Sequence, residues 1–84
     1  MMIFLAGLPA EVAAEEIKQL LSRYVEVEAL ELLPGEQPEQ TIATLKVSIS
    51  NAEAHWVTRR LTGLYWRGHT LSAYVSLFSG NNDA

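Results

Sequence analysis

The spacing of the hydrophobic residues changes abruptly in the middle of the chain, and this change constrains the fold more than any other feature. In residues 41–49 the side chains alternate, so that Leu45, Val47 and Ile49 point to one side of an extended strand. Directly after them, residues 50–53 read Ser-Asn-Ala-Glu, a capping box that begins a helix. A strand followed at once by a helix is typical of a domain that packs helices against a sheet.

The first part of the chain supplies three more elements. The run from Met2 to Leu8 is short and apolar, which predicts a buried strand that ends at Pro9. Residues 13–24 carry apolar side chains at i, i+3, i+4 and i+7, the spacing of an amphipathic helix. Residues 25–33 alternate between apolar and acidic side chains, with a slip at Ala29 that indicates a β-bulge.

The last part of the chain supplies a second helix and a final strand. The helix that follows the capping box should end near Gly63. Residues 65–70 predict a tight hairpin or turn, and residues 71–78 alternate again as a strand. The second helix has one apolar face, which consists of Ala54, Val57 and Leu61.

The resulting element order is β-α-β-β-α-β, which belongs to the α+β class. This order predicts the ferredoxin-like split βαβ fold, in which two helices cover one face of a four-stranded antiparallel sheet. We expect residues 1–78 to form a single domain and residues 79–84 to be a short disordered C-terminal tail. Because no helix covers the second face of the sheet, we expect function to lie on that bare face.

The charge balance limits the kinds of partner that such a domain can bind. Six Lys and Arg stand against ten Asp and Glu, so the chain carries a formal charge of −4. Proteins that bind nucleic acids are usually basic, because the neutralisation of phosphates supplies much of their affinity. The charge therefore excludes a strong electrostatic binder that ignores sequence, but it leaves a local binding site open.

Catalysis and cofactor binding find little support in the sequence. The chain has no cysteine, which excludes disulfides, thiolate metal sites and cysteine nucleophiles. His55 and His69 lack the spacing of a metal site, and no glycine-rich phosphate loop is present. We therefore expect no enzymatic activity, no catalytic residue, no metal and no cofactor. No apolar run approaches the ~20 residues of a membrane span and no signal peptide is recognisable, so we expect a cytoplasmic protein without membrane contact.

Five stretches, in order and at matching spacing, resemble the RNA recognition motif (RRM) domain. The motif on the first strand of that family is similar to residues 3–9, which read IFLAGLP. Its first helix resembles residues 15–24, and its second strand resembles residues 27–32. The spacing of Ala54, Val57, Leu61 and Gly63 fits its second helix, and the segment before its fourth strand resembles residues 66–71. The resemblance covers residues 2–75, and it implies an RRM-like domain.

The resemblance also implies where RNA would bind. RRM domains usually carry two aromatic residues on the third strand, where they face RNA, but Thr44 and Lys46 stand at the matching positions here. The strand order of the family, 4-1-3-2, would place Phe4 between Tyr74 on the fourth strand and Lys46 on the third. The candidate RNA-binding residues are therefore Phe4, Lys46, Tyr74 and Thr44, together with Arg67 near the sheet edge.

The bare face supports more than one function. With two stacking rings and a single lysine, we predict weak binding of single-stranded RNA, which Glu31 on the same face would oppose. The alternative is a protein-interaction or homodimerisation module of RRM fold, because Met2, Phe4, Ala6 and Ile42 give the bare face an apolar character. A small-ligand regulatory domain of the same topology would need a loop rich in Gly and Asp, which does not follow the first strand.

The two tryptophans also carry interpretations that the sequence leaves open. Trp66 lies in the predicted turn, where it would cover the core. Trp56 lies beside Arg59 and Arg60 on the second helix. This trio is either part of a solvated helix face or a hot spot for docking another protein.

Overall fold

The computed structural model describes residues 1–35 and 37–76, and within them it contains two helices and six strands. The predictions made for Leu77, Phe78 and the tail at 79–84 lie outside the described residues. In chain order the elements are β1 (Met2–Pro9), α1 (Ala14–Leu21), β2 (Val27–Pro34), β3 (Gln40–Val47), α2 (Asn51–Leu61), β4 (Tyr65–Trp66), β5 (His69–Thr70) and β6 (Ser72–Val75).

Four of the strands form one antiparallel sheet in the order β2-β3-β1-β6. This confirms the predicted ferredoxin-like arrangement and its 4-1-3-2 strand order, with β6 in the place of the fourth strand. The remaining strands, β4 and β5, form the predicted tight hairpin. Its turn residues Arg67 and Gly68 both have positive φ, 52° and 81°, which matches the right-handed twist of a type I′ turn.

One face of the sheet packs on the helices and forms the core. The buried residues of α1 are Ile17 and Leu21, and those of α2 include the predicted stripe of Ala54, Val57 and Leu61. They meet every second residue of the strands, as alternation requires. The fully buried side chains of largest volume are Ile3, Leu5, Leu8, Ile17, Leu21, Leu45, Val47, Leu61 and Leu71.

Two β-bulges interrupt the pairing. The slip predicted at Ala29 is confirmed one residue earlier, since Val27 and Ala29 pair with consecutive residues of β3 and leave Glu28 as the extra residue. A second bulge, which was not predicted, lies in β1 between Leu5 and Leu8. Gly7 takes a φ of 90° there, a conformation that residues with a side chain rarely adopt.

Helix α1 is shorter than the predicted range of 13–24. It ends at Leu21, whose carbonyl oxygen accepts hydrogen bonds from the amides of both Tyr24 and Val25 in the turn that follows. At its beginning, the carboxylate of Glu16 accepts a hydrogen bond from the Ala13 N–H at 3.0 Å. Alanine has no side-chain oxygen, so only half of a capping box forms and the cap is weak.

Polar contacts mark both ends of helix α2, and those that follow its last residue join it to the sheet. Ser50 and Glu53 form the predicted capping box, with the Glu53 N–H donating to Ser50 Oγ and the Ser50 N–H donating to the Glu53 carboxylate. After the helix, Thr62 Oγ1 donates to the carbonyl of Ala73 at 3.1 Å and accepts from its amide at 3.0 Å. These two bonds satisfy backbone groups on the outer edge of β6, which would otherwise be open to pairing with another chain.

Candidate nucleic-acid interface

The sheet face that points away from the helices, called the open face below, carries a row of four directly paired residues. Glu31 pairs with Thr44, Thr44 pairs with Phe4, and Phe4 pairs with Tyr74. The residues next to them along the strands are either buried in the core or partly buried against it, so the four side chains lie on the opposite side. The structure therefore brings three of the five predicted site residues into one line across the sheet.

The two aromatic rings of this row touch each other. The ring centroids of Phe4 and Tyr74 lie 6.0 Å apart with an interplanar angle of 67°, an edge-to-face contact. Tyr74 is 49% exposed, whereas Phe4 is half-buried. The pair forms a rigid aromatic surface on which a planar base could stack. Because the rings are tilted against each other, one base can lie flat on only one of them.

The predicted placement of Lys46 directly opposite Phe4 is wrong by two residues along β3. Lys46 lies between Met2 on β1 and Ala29 on β2, and the residue opposite Phe4 on β3 is Thr44. The register between β1 and β3 could not be counted from the sequence, because no tight turn joins these two strands. Lys46 is still a diagonal neighbour of Phe4 on the open face, and its side chain is exposed.

The structure does not bring Arg67 to this face. Its guanidinium donates to the carboxylate of Glu16 at 2.6 Å and stacks over the ring of Trp66 at 4.7 Å from the centroid. Since Glu16 belongs to α1, these contacts hold the Arg67 side chain on the helix side of the sheet. A contact across 51 residues of sequence leaves no local signal that the sequence analysis could have used.

The carboxylate of Glu16 is held charged by two donors. The hydrogen bond from the Ala13 N–H lowers the pKa of the Glu16 carboxyl most, and the hydrogen bond from Arg67 lowers it further. The bridge joins the start of α1 to the β4–β5 turn, so this contact of Arg67 is structural.

The charge on the open face is mixed. Lys46 and Glu31 both border a shallow depression of about 330 Å³, whose lining includes Met2, Ala29 and Thr44. Glu31 is exposed, and Thr44 separates it from Phe4 in the row. A phosphate close to Lys46 would therefore also meet the carboxylate of Glu31, which predicts a modest electrostatic contribution to RNA binding.

The remaining candidate residues lie away from the open face. Trp66 is half-buried against the core, which confirms its predicted covering role.

Within residues 1–35 and 37–76, no group of three His, Asp or Glu side chains is placed to hold a metal ion. In the same part of the chain, neither helix is long and apolar enough to cross a membrane.

Similarity to solved structures identifies the fold. No protein-family model matches the sequence, and no curated protein matches it significantly. Among solved structures, the chain is similar to Pes4 RRM3, with a TM-score of 0.75, 17% identity and 89% of each chain covered.

Two further solved structures show the same similarity. The Rna15 RRM with bound RNA (GU) has a TM-score of 0.73 and 19% identity, and the match covers 90% of this chain and 82% of that one. A structure of three RNA binding domains of the yeast splicing factor Prp24 has a TM-score of 0.73 and 22% identity, and the match covers 89% of this chain and 32% of that one. The chain therefore has the fold of an RNA recognition motif domain.

Proposed function

We propose that this domain binds single-stranded RNA weakly through the open face. The observation that carries the proposal is the contact between Phe4 and Tyr74, which are directly paired on neighbouring strands and lie on the face that points away from α1 and α2. The fold, and the presence of RNA in the similar Rna15 RRM structure, support the same function. Lys46 supplies one cation beside this aromatic pair.

The composition of the open face sets the expected strength. Stacking of a base on an aromatic side chain contributes about 1–3 kcal/mol, and the row offers two rings, neither of which lies on β3. Thr44 stands opposite Phe4, where it can donate or accept a hydrogen bond but cannot stack. With one cation and the opposing carboxylate of Glu31, we expect low affinity and only a weak dependence on salt, because a single phosphate contact is involved.

A titration of short single-stranded RNA at low salt tests the stacking residues. Phe4→Ala and Tyr74→Ala should each weaken binding about 5- to 150-fold, the equivalent of one lost stacking contact. Tyr65→Ala is the matched control, because Tyr65 is 72% exposed but belongs to the β4–β5 hairpin. If the Tyr65 variant loses as much affinity as the Phe4 variant, the open face is not the RNA site.

The salt dependence of the same titration tests the role of Lys46. Lys46→Gln should reduce the slope of log K against log salt by about 0.7, the value expected for one phosphate contact on a single strand. Lys18→Gln on α1 removes the same charge from the helix side and should leave the slope unchanged. Equal slopes for the wild-type protein and the Lys46 variant would argue against a phosphate contact at this position.

A second candidate function is protein interaction through the same face, including homodimerisation. The observation that favours it is the run of half-buried apolar residues Met2, Phe4, Ala6 and Ile42 on the open face, with Leu33 exposed at its margin. Sedimentation velocity from micromolar to millimolar protein measures self-association directly. A monomer over this whole range contradicts the homodimer, whereas a dimer that Phe4→Glu dissociates would favour it over RNA binding.

A further inference from the structure

The outer face of α2 carries a second exposed aromatic and basic surface, here called the α2 patch, which consists of Trp56, Arg59 and Arg60. The three residues occupy positions i, i+3 and i+4 and therefore lie side by side on the helix. Trp56 is 51% exposed, and both arginines are exposed. Together they line a depression of about 330 Å³.

The arrangement of the patch is pre-organised. The guanidinium carbon of Arg60 lies 4.8 Å from the centroid of the Trp56 ring, a cation–π contact that restrains both side chains. A guanidinium stacked in this way keeps its N–H groups directed along its own plane, where they can bind a carboxylate with two parallel hydrogen bonds.

The charge of the patch is uncompensated within the described part of the chain. The single ion pair found among residues 1–35 and 37–76 joins Arg67 to Glu16, so neither Arg59 nor Arg60 has a carboxylate partner there. The acid nearest in the sequence of α2, Glu53, is bound to Ser50 in the capping box. Although the net charge of the chain is −4, its described part presents two adjacent arginines without a carboxylate partner beside an exposed tryptophan.

We propose that the α2 patch binds a short acidic segment of another protein, in which Asp or Glu residues flank an apolar side chain. The carboxylates complement Arg59 and Arg60, and the apolar side chain covers the exposed ring of Trp56. Trp and Arg are the residues that most often dominate binding energy at protein interfaces. Because the buried side of α2 faces the sheet, the patch lies on the other side of the molecule from the open face, and this inference does not depend on RNA binding there.

The dimensions of the patch favour a peptide over RNA. Its residues span about 6 Å of helix, the rise of four residues. Proteins that bind single strands use a positively charged groove that follows the backbone and several rings that stack successive bases. The α2 patch has one ring, the indole of Trp56, which is too few to stack successive bases.

An NMR titration of the ¹⁵N-labelled protein tests the proposal. The probe is the end-capped peptide Glu-Asp-Leu-Asp-Glu, and its amide analogue Gln-Asn-Leu-Asn-Gln is the control. The acidic peptide should shift the Trp56 indole N–H and the amide signals of α2, and the analogue should not. The absence of shifts at α2 with the acidic peptide would overturn the proposal, as would tighter binding of a short oligouridine at the same residues.

Charge-matched variants separate a specific site from general attraction. Arg59→Gln with Arg60→Gln should weaken peptide binding about 2- to 30-fold, the range for two exposed ion pairs. Lys18→Gln with Arg23→Gln removes the same charge from α1 and the turn after it, and should change the affinity less than about twofold. All of these side chains are exposed, so dispersed amide spectra are expected for both variants. Equal losses in the two double variants would mean that the peptide responds only to net charge.

Discussion

Replacing Gly7 by alanine probes the close approach between β1 and the β4–β5 hairpin. A Cβ atom built on Gly7 would lie 2.6 Å from the carbonyl oxygen of Thr70, and ordinary van der Waals contact begins near 3.4 Å. The colliding atom belongs to the backbone of β5, so it cannot move away by a change of rotamer. Either the hairpin or the β1 bulge has to shift, and both are packed against the core.

The cost of this substitution has two parts. The first is backbone strain, because Gly7 has a φ of 90° and an alanine in that region costs about 1–2 kcal/mol. The second is overpacking against Thr70, which typically costs a further 1–3 kcal/mol. We therefore expect Gly7→Ala to lower the free energy of unfolding by about 2–5 kcal/mol, a large share of the ~4–13 kcal/mol that a domain of this size would have.

Gly63→Ala is a matched control that isolates the steric part. Gly63 has almost the same φ, 88°, but a Cβ atom there would meet nothing within 4 Å. Both variants exchange glycine for alanine, so their effects on the entropy of the unfolded chain are the same and cancel in the comparison. Gly63→Ala should therefore cost only the strain, about 1–2 kcal/mol.

Urea denaturation followed by tryptophan fluorescence and circular dichroism measures both variants. Each 1 kcal/mol should also lower the melting temperature by about 4–8 °C in a domain of this length. The reasoning fails if the two variants lose the same stability within about 0.5 kcal/mol, because the contact with Thr70 would then contribute nothing.

Three other predictions concern single contacts. Thr62→Val should lower the free energy of unfolding by about 1–3 kcal/mol, because it removes both side-chain hydrogen bonds to the backbone of Ala73. Ala13→Ser should raise it by about 0.5–1 kcal/mol, because residue 13 already has the extended conformation of an N-cap (φ −98°, ψ 150°) but no side-chain acceptor. Glu16→Gln should lower stability at neutral pH, but not in acid. The reason is that the folded state lowers the pKa of Glu16, so its carboxylate stabilises the fold above the unfolded pKa and loses this effect as the pH falls through the folded pKa.

Each of these changes has a neighbouring control in urea denaturation. Thr70→Val removes a hydroxyl from an exposed position and should be nearly neutral, in contrast to Thr62→Val. Ala14→Ser introduces a hydroxyl inside the helix rather than at the cap, so any gain there would contradict the cap explanation. Glu15→Gln removes a charge from the same turn, and a pH dependence equal to that of the Glu16 variant would point to the helix dipole instead of the hydrogen bonds that Glu16 accepts from Ala13 and Arg67.

Local sequence patterns were sufficient to predict the helices and strands. The structure contains three predicted features at their predicted positions: the alternation in β3, the apolar stripe of α2 and the capping box at Ser50. These features depend on residues within a few positions of one another, which is why spacing alone reveals them. The β1 bulge was missed, although an isolated glycine in a strand is a recognised sign of one.

The candidate site depended more on tertiary structure. The sequence placed Phe4, Thr44, Lys46 and Tyr74 on one face, because the side of a strand on which a residue lies follows from alternation. It did not determine which of them are neighbours, and it placed Lys46 opposite Phe4, two residues from its actual partner Met2. Register between strands that no tight turn connects is decided by how the whole core packs.

The sequence by itself determined the elements, their order, the buried side of each strand and the residues of the open face, because each follows from a periodicity of two or 3.6 residues. Only the tertiary structure decided that Thr44 faces Phe4, that Gly7 must make room for Thr70, and that Arg67 is bound to Glu16 on the helix side. These contacts join residues far apart in the chain. Their geometry is set when the sheet and the helices close around a common core, and no local preference specifies it.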